Sequence, residues 1–290
     1  MTKKRKRKQV LIIGASGMAG HMIYKYLYSL NKYDLGAITR KEIDSIPSVC
    51  LDVEHDLPTL ANIIATAAPD IIVNCVGLLV KACEACPAEA VFVNSFFPHM
   101  LENVTSGTRT KVIHLSSDCV FSGSDNPEHT YHEDDTPSEW NWYGRAKALG
   151  ELINEKDLTL RLSIIGPEIR EGVGLLQWFM KQEGEVNGFA GHYWNGITTL
   201  ELAKQIDKII DTDLNGLYHL APPFKITKFS LLELIAKTFE KDIKINKMND
   251  VVVNKVLANN RIAEYDPCTP RYEEQLFELK TWMETNKNKT

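Results

Sequence analysis

Short apolar runs alternate with amphipathic stretches through the first half of the chain. Val10–Ile13 is apolar throughout and predicts a buried strand. Met18–Leu30 predicts a helix, with Met22, Ile23, Tyr26 and Leu27 on one stripe. Leu35–Ile38 and Val49–Leu51 predict two more strands. Leu60–Ala67 predicts a helix closed by Pro69-Asp70, and Ile71–Cys75 a strand apolar on both faces. The same logic gives a helix over Pro87–Asn103, interrupted near Pro98, and a strand at Val112–Leu115. A helix over Trp142–Asn154 and a strand at Leu158–Leu162 follow. Alternation at this spacing specifies an α/β fold with a doubly wound parallel sheet.

The pattern changes after Ile165-Gly166-Pro167, where Gly172, Gly174, Gly184, Gly188 and Gly191 break up the chain. Helices over Thr199–Ile210 and Ser230–Phe239 follow, with strands at Gly216–Leu220 and Ile243–Ile245. The expected organisation is a cofactor domain over residues 9–166 and a smaller mixed α/β substrate lobe over 167–290. Part of 196–220 is expected to return to the first domain.

The first strand runs into Gly14-Ala15-Ser16-Gly17-Met18-Ala19-Gly20. GxxGxxG carries meaning here because it follows a strand and opens a helix, so that backbone N–H groups can approach a pyrophosphate. This is the Rossmann arrangement. An NAD site places an acidic residue about 20 residues on, at the end of the second strand. This chain has Thr39-Arg40-Lys41 there, and Asp34 lies at the strand's other end. Arg40 suits a 2′-phosphate, so NADPH is expected; an exposed surface charge is the other reading of Arg40. Expected cofactor contacts are Gly14, Ser16, Gly17, Met18, Gly20, Arg40, Asp52, Val53, Cys75, Val76 and Gly77, together with Tyr143 and Lys147.

Tyr143 and Lys147 stand four apart on a predicted helix, hence on one face. An ammonium beside a phenol favours the phenolate and readies it for proton transfer. The fifth strand ends in Ser116-Ser117-Asp118-Cys119, where loops carry chemistry in this architecture. Ser117 is a candidate donor to a substrate oxygen, and Asp118 a residue that organises the loop. Cys119 lies two residues from Ser117, so an extended segment turns both to one side. Cys119 reads either as a reactive thiol or as a buried inert one.

Composition narrows the class without changing this picture. Net charge is −5, so the chain beyond the six basic residues Lys3–Lys8 carries −11. A basic run of this kind reads as a solvated tail on an acidic body rather than a nucleic-acid contact. No apolar run reaches the roughly 18 residues of a membrane helix. A soluble, cytoplasmic protein is expected, with no nucleic-acid or membrane partner, and a homodimer is compatible with these features. Six dispersed cysteines form no disulfide framework, and the pair Cys83/Cys86 lacks a second pair to hold zinc; no metal is expected.

Together these features resemble the extended short-chain dehydrogenase/reductase family, and within it the dTDP-4-dehydrorhamnose reductase group. The resemblance runs from about Val10 to Ile210. It rests on GxxGxxG, Ser117-Asp118-x-Val120-Phe121, Glu133-Asp134 with Pro137, Tyr143/Lys147, and Arg161-Leu162-Ser163 before Gly166. It implies a triad of Ser117, Tyr143 and Lys147 that reduces the 4-keto group of a UDP- or dTDP-linked 4-keto-6-deoxy sugar. It also puts Asn94 where the family keeps a structural or active-site Asn that would border the substrate, and places Glu84 and Arg161 near the sugar and the nicotinamide pocket. Rhamnose reductases of this group usually carry Tyr where this chain has Cys119, whereas relatives that couple 3-epimerisation to reduction carry Cys in that loop. Dehydratases carry a second acid there, so dehydration is excluded. Trp178, Lys181 and Trp194, in Gly174–Trp194, are expected over the sugar nucleotide; ordinary lobe packing is the alternative for each. The regulatory subunit of methionine adenosyltransferase resembles the same family, so a non-catalytic NADP-binding role stays open beside the enzyme reading.

Overall fold

The computed structural model describes residues 7–169, 172, 174–249 and 251–286. Lys3–Lys6 of the basic run and Asn288–Thr290 at the other end lie outside them.

Strands β1 (Gln9–Ile13), β2 (Asp34–Thr39), β3 (Val49–Cys50), β4 (Ile71–Asn74), β5 (Lys111–Leu115), β6 (Leu158–Arg161) and β7 (Gly216–His219) form one sheet. The order is β7-β6-β5-β4-β1-β2-β3, and every pair is parallel. The order reverses between β1 and β4, which opens the crevice where ligands bind in such sheets. Helices α1 (Met18–Leu30), α2 (Leu57–Ala67), α3 (Val80–Ala85), α4 (Pro87–Val91), α5 (Phe97–Val104) and α6 (Trp142–Leu149) follow in the first half. Helices α7 (Leu175–Lys181), α8 (Thr199–Ile209), α9 (Lys228–Thr238) and α10 (Tyr272–Thr285) follow in the second.

Two apolar layers flank the sheet. On one side Met22, Ile23 and Leu27 of α1 meet Leu202, Ala203 and Ile206 of α8. On the other, Leu60 and Ile64 of α2 meet Phe97 and Leu101 of α5. Each such side chain contributes roughly 1.5–3 kcal/mol by leaving water. The remaining strands are short pairs in the lobe. Glu185–Phe189 runs parallel to Lys244–Met248, and His192–Trp194 lies between Ile226–Thr227 and Val253–Asn254. Among the described residues no helix is long and apolar enough to cross a membrane.

Several elements differ from the sequence expectation. The expected helix over Trp142–Asn154 stops at Leu149. Gly150 ends it by close approach: a Cβ there would sit 2.0 Å from the Asn94 carbonyl oxygen. The interruption expected at Pro98 is instead a π-helical turn over Phe92–Phe96. Proline lacks the N–H that would bond the carbonyl four residues back. That carbonyl belongs to Asn94, and Gly150 lies against it. Helices α3 and α10 had no periodic signal strong enough to predict them.

After Gly150 the chain turns to place Glu151 on Arg161. Nε and Nη2 of Arg161 donate to the two carboxylate oxygens at 2.7 and 2.8 Å. Both side chains are almost fully buried. Removing one member of a buried pair leaves an uncompensated charge and costs about 3–5 kcal/mol. Glu151→Ala is therefore expected to lower unfolding stability by about that much in urea titration, while Glu151→Gln, which keeps an acceptor, loses less.

Candidate active site

β1 runs directly into the turn at Gly14. Its φ is +83°, and a Cβ there would lie 3.0 Å from the Cys75 carbonyl carbon and the Val76 nitrogen. Only glycine meets both demands. Gly20 serves packing: its Cβ would fall 2.2 Å from the Gly14 carbonyl oxygen and push α1 off the turn. Gly17 caps α1 and stays exposed, its N–H on the Gly14 carbonyl at 3.0 Å. A cleft of about 220 Å³ opens here. Gly14, Ser16, Gly17, Arg40, Asp52, Val53, Cys75, Val76 and Gly77 all line it, as expected from the sequence. Thr39, Glu54 and Leu78 join them unanticipated. Met18 and Gly20 do not line it. A Cβ added to Gly174 would lie 2.3 Å from the Met18 Cε, so Met18 packs toward the lobe.

The start of α6 is held by carboxylates and an amide. Glu84 accepts the Trp142 N–H at 2.7 Å, and Asn141 caps the helix by accepting the Gly144 N–H at 2.8 Å. Glu139 accepts from the Trp140 N–H at 2.8 Å. Gly144 lets the helix press on the β5 loop, since a Cβ there would sit 2.4 Å from the Cys119 carbonyl oxygen. Tyr143 is thereby brought near Ser117, whose hydroxyl favours the phenolate. Ser117 also donates to Asp118 Oδ1 at 3.1 Å and accepts the Cys119 N–H at 3.0 Å.

Lys147, one turn further on, points into the protein. Its Nζ donates to the Leu115 carbonyl at 2.5 Å. Burial brings its pKa down to about 8, against the attraction of Glu151. His114 stands 3.5 Å away and is held neutral by burial and by the Lys147 charge. Asn74 Oδ1 takes the Val76 N–H, so its Nδ2 donates to His114 Nδ1. The imidazole proton is then on Nε2, and Lys147 gains no acceptor from it. A Cβ on Gly77 would lie 3.9 Å from Nζ, which puts the ammonium beneath the first cleft. The expectation that Lys147 lowers the Tyr143 pKa is not met in this arrangement. Burial pushes the phenol up, Cys119 adds to it, and the Ser117 hydroxyl opposes both.

A second cleft, of about 290 Å³, opens between the β5 loop and the lobe. Asp118, Cys119 and Trp194 line it, as expected. Trp194 is fixed by donating to Ser163 Oγ at 2.8 Å and by stacking on Tyr272 at 5.7 Å. The Cys119 segment is a 3₁₀ turn over Asp118–Val120, not extended chain. Burial, then the neighbouring Asp118, pushes its thiol up to about 12, so it rests protonated. Tyr193, Ser163, His192, Lys228 and Lys255 also line the cleft. Lys228 and Lys255 carried no sequence signal beyond their charge.

Five expected substrate residues lie elsewhere. Arg161 is buried on Glu151, its guanidinium 5.1 Å over the Phe121 ring. Asn94 is fully buried and clamps Leu78, accepting its N–H at 2.8 Å and donating to its carbonyl at 3.0 Å. Trp178, 40% exposed, and Lys181 line neither cleft, because α7 turns them outward. Glu84 is exposed and acts on the α6 terminus.

This sheet, glycine turn and Ser–Tyr–Lys set belong with a defined class of proteins. The chain belongs to the extended short-chain dehydrogenase/reductases of the RmlD substrate binding domain family, whose model matches residues 8–264. It is 25% identical over 247 residues to methionine adenosyltransferase 2 subunit beta of Mus musculus, covering 80% of this chain and 72% of that one. It is 26% identical over 241 residues to dTDP-4-keto-6-deoxy-D-glucose reductase of Streptomyces niveus, covering 80% and 79%. Its fold is similar to dTDP-4-dehydrorhamnose reductase of Bacillus anthracis, solved with NADP, at TM-score 0.79 and 21% identity over 96% of this chain and 100% of that one.

The buried ammonium has a thermodynamic signature. The Lys147 pKa near 8 lies below the unfolded value of about 10.4. Between those values the folded protein binds fewer protons, so stability rises with pH. Wild type is expected to gain melting temperature relative to Lys147→Met as pH rises from about 8 to about 10. A difference flat with pH contradicts this burial.

Proposed function

We propose that this chain reduces the 4-keto group of a UDP- or dTDP-linked 4-keto-6-deoxyhexose with NADPH, coupled to epimerisation at carbon three. One observation carries the reading. Ser117 and Tyr143 stand beside Cys119 of the second cleft, while Lys147, on the same helix as Tyr143, lies beneath the first. A dinucleotide in one cleft and a sugar in the other meet at this set. The likeness to a dTDP-4-keto-6-deoxy-D-glucose reductase supports the substrate class.

The glycine turn fits a pyrophosphate, because Gly14 and Gly17 leave backbone where a side chain would stand. Arg40, exposed at the rim, suits a 2′-phosphate. NADPH, when bound, supplies the hydride. The protein's residues do the rest. Ser117 and Tyr143 hold the ketone oxygen. The Tyr143 phenol, protonated at rest, gives its proton to that oxygen as charge develops on it. Lys147 supplies positive charge under the same site. Cys119 exchanges the proton at carbon three, which the adjacent ketone acidifies.

Tyr143→Phe is expected to cut NADPH oxidation with a 4-keto nucleotide sugar by about 10²–10⁴-fold while NADPH binding stays close to wild type. Arg40→Ala is expected to weaken NADPH binding roughly tenfold or more and leave NADH unchanged. The likeness to methionine adenosyltransferase 2 subunit beta favours a second reading, a regulatory NADP-binding subunit. No turnover across a panel of UDP- and dTDP-4-keto sugars, with tight binding to a partner enzyme, would select it.

A further inference from the structure

Two lysines in the second cleft have no part in the reduction described so far. Lys228 is exposed at the first turn of α9, whereas Lys255 is held from several sides. It follows Asn254, which is fully buried and donates to the carbonyls of Asn126, Pro127 and His129 at 3.0, 3.0 and 2.7 Å. The Lys255 stem lies on Gly123, whose added Cβ would be 3.5 Å from Cγ and 3.6 Å from Cε. Its ammonium reaches Glu139 Oε2 at 3.4 Å, with both side chains largely buried. Glu139 in turn packs on Gly144, on the face that the Cys119 carbonyl also touches. The lobe thus delivers one ordered cation to the turn that carries Cys119.

We propose that Lys255 is a positioning residue for proton exchange at Cys119, the fixed cation that offsets Asp118 and makes the thiolate accessible when the cleft is filled. This rests on the epimerising reading above. The charged and titratable groups around the thiol are Asp118 on its own turn, Tyr143 on α6, Lys255 from the lobe and the Glu139 carboxylate paired with it, with Lys228, His192 and Tyr193 further along the cleft. Asp118 raises the thiol and Lys255 lowers it. Asp118 is itself fully buried and is drawn back toward its ionised form by Lys255. Without that cation a thiolate would form beside an uncompensated carboxylate in a desolvated turn. The exchange balances without a redox partner. The Cys119 thiol gives its proton to water in the cleft; the resulting thiolate takes the proton from carbon three, which restores the thiol, and the C–H electron pair passes to the ketone oxygen as an enolate held by Ser117 and Tyr143. Reprotonation from water on the opposite face restores the ketone with inverted configuration.

The test compares wild type, Lys255→Met and Lys255→Arg, each shown to melt and bind NADPH like wild type. Iodoacetamide labelling of Cys119, followed by mass spectrometry of its peptide across pH, reads the thiol without requiring turnover. Lys255→Met is expected to slow labelling roughly tenfold at a fixed alkaline pH, and Lys255→Arg to restore it. With keto sugar in deuterated water, Lys255→Met is expected to lower the ratio of carbon-three exchange to reduction by a similar factor. Labelling and exchange ratio unchanged in Lys255→Met, with exchange intact in wild type, overturn the role of Lys255. Absence of exchange in wild type overturns the epimerising reading itself.

Discussion

A fully buried ammonium is the constraint around which this site is arranged. Lys147 has one good acceptor, the Leu115 carbonyl, and a neutral imidazole as its near neighbour. Carrying a charge there requires that α6 be fixed in height and rotation against the end of β5. Three features supply that fixing. The π turn carries the Asn94 carbonyl to Gly150, the Ser95 hydroxyl donates to the Ala146 carbonyl at 2.7 Å, and Glu151 is locked to Arg161 just past the helix. Asn94 and Arg161 thus bear on the position of α6 rather than lining either cleft.

The parallel sheet was readable from the chain because each strand is a short apolar run and each crossover an amphipathic one. The glycine turn was readable because the steric demand at Gly14 leaves only one residue type, and the first cleft gathers nine of the thirteen residues expected of it, without Met18, Gly20, Tyr143 and Lys147. The second cleft was not. Its walls come from segments distant in sequence, such as Ser163, Tyr193, Lys228 and Lys255, brought together by short strand pairs with little periodicity. Arg161 was misplaced for a related reason. A buried arginine looks like a ligand-binding arginine in sequence until its carboxylate partner, here Glu151 ten residues away, is seen.

Cys119 shows how environment modifies a chemical expectation. The sequence left both a reactive and a buried inert thiol open, and the structure gives a thiol held protonated by burial and by its neighbour Asp118. The same surroundings keep the Tyr143 phenol protonated. Both groups therefore rest as acids. That suits a site which gives a proton to a nascent alkoxide, and it makes any base behaviour dependent on charge brought from outside the turn.

The position of β7 has a consequence for how the molecule is made. β6 stays an open edge until Gly216–His219 pairs with it, and α1 lacks its packing partner until α8 has been added. On a ribosome, then, β6 keeps one open edge from the emergence of Arg161 to that of His219, and α1 keeps an uncovered helix face until Ile209 has been added. Such edges invite pairing with other chains. The interval between the emergence of β6 and that of β7 is the period in which this protein most needs a chaperone.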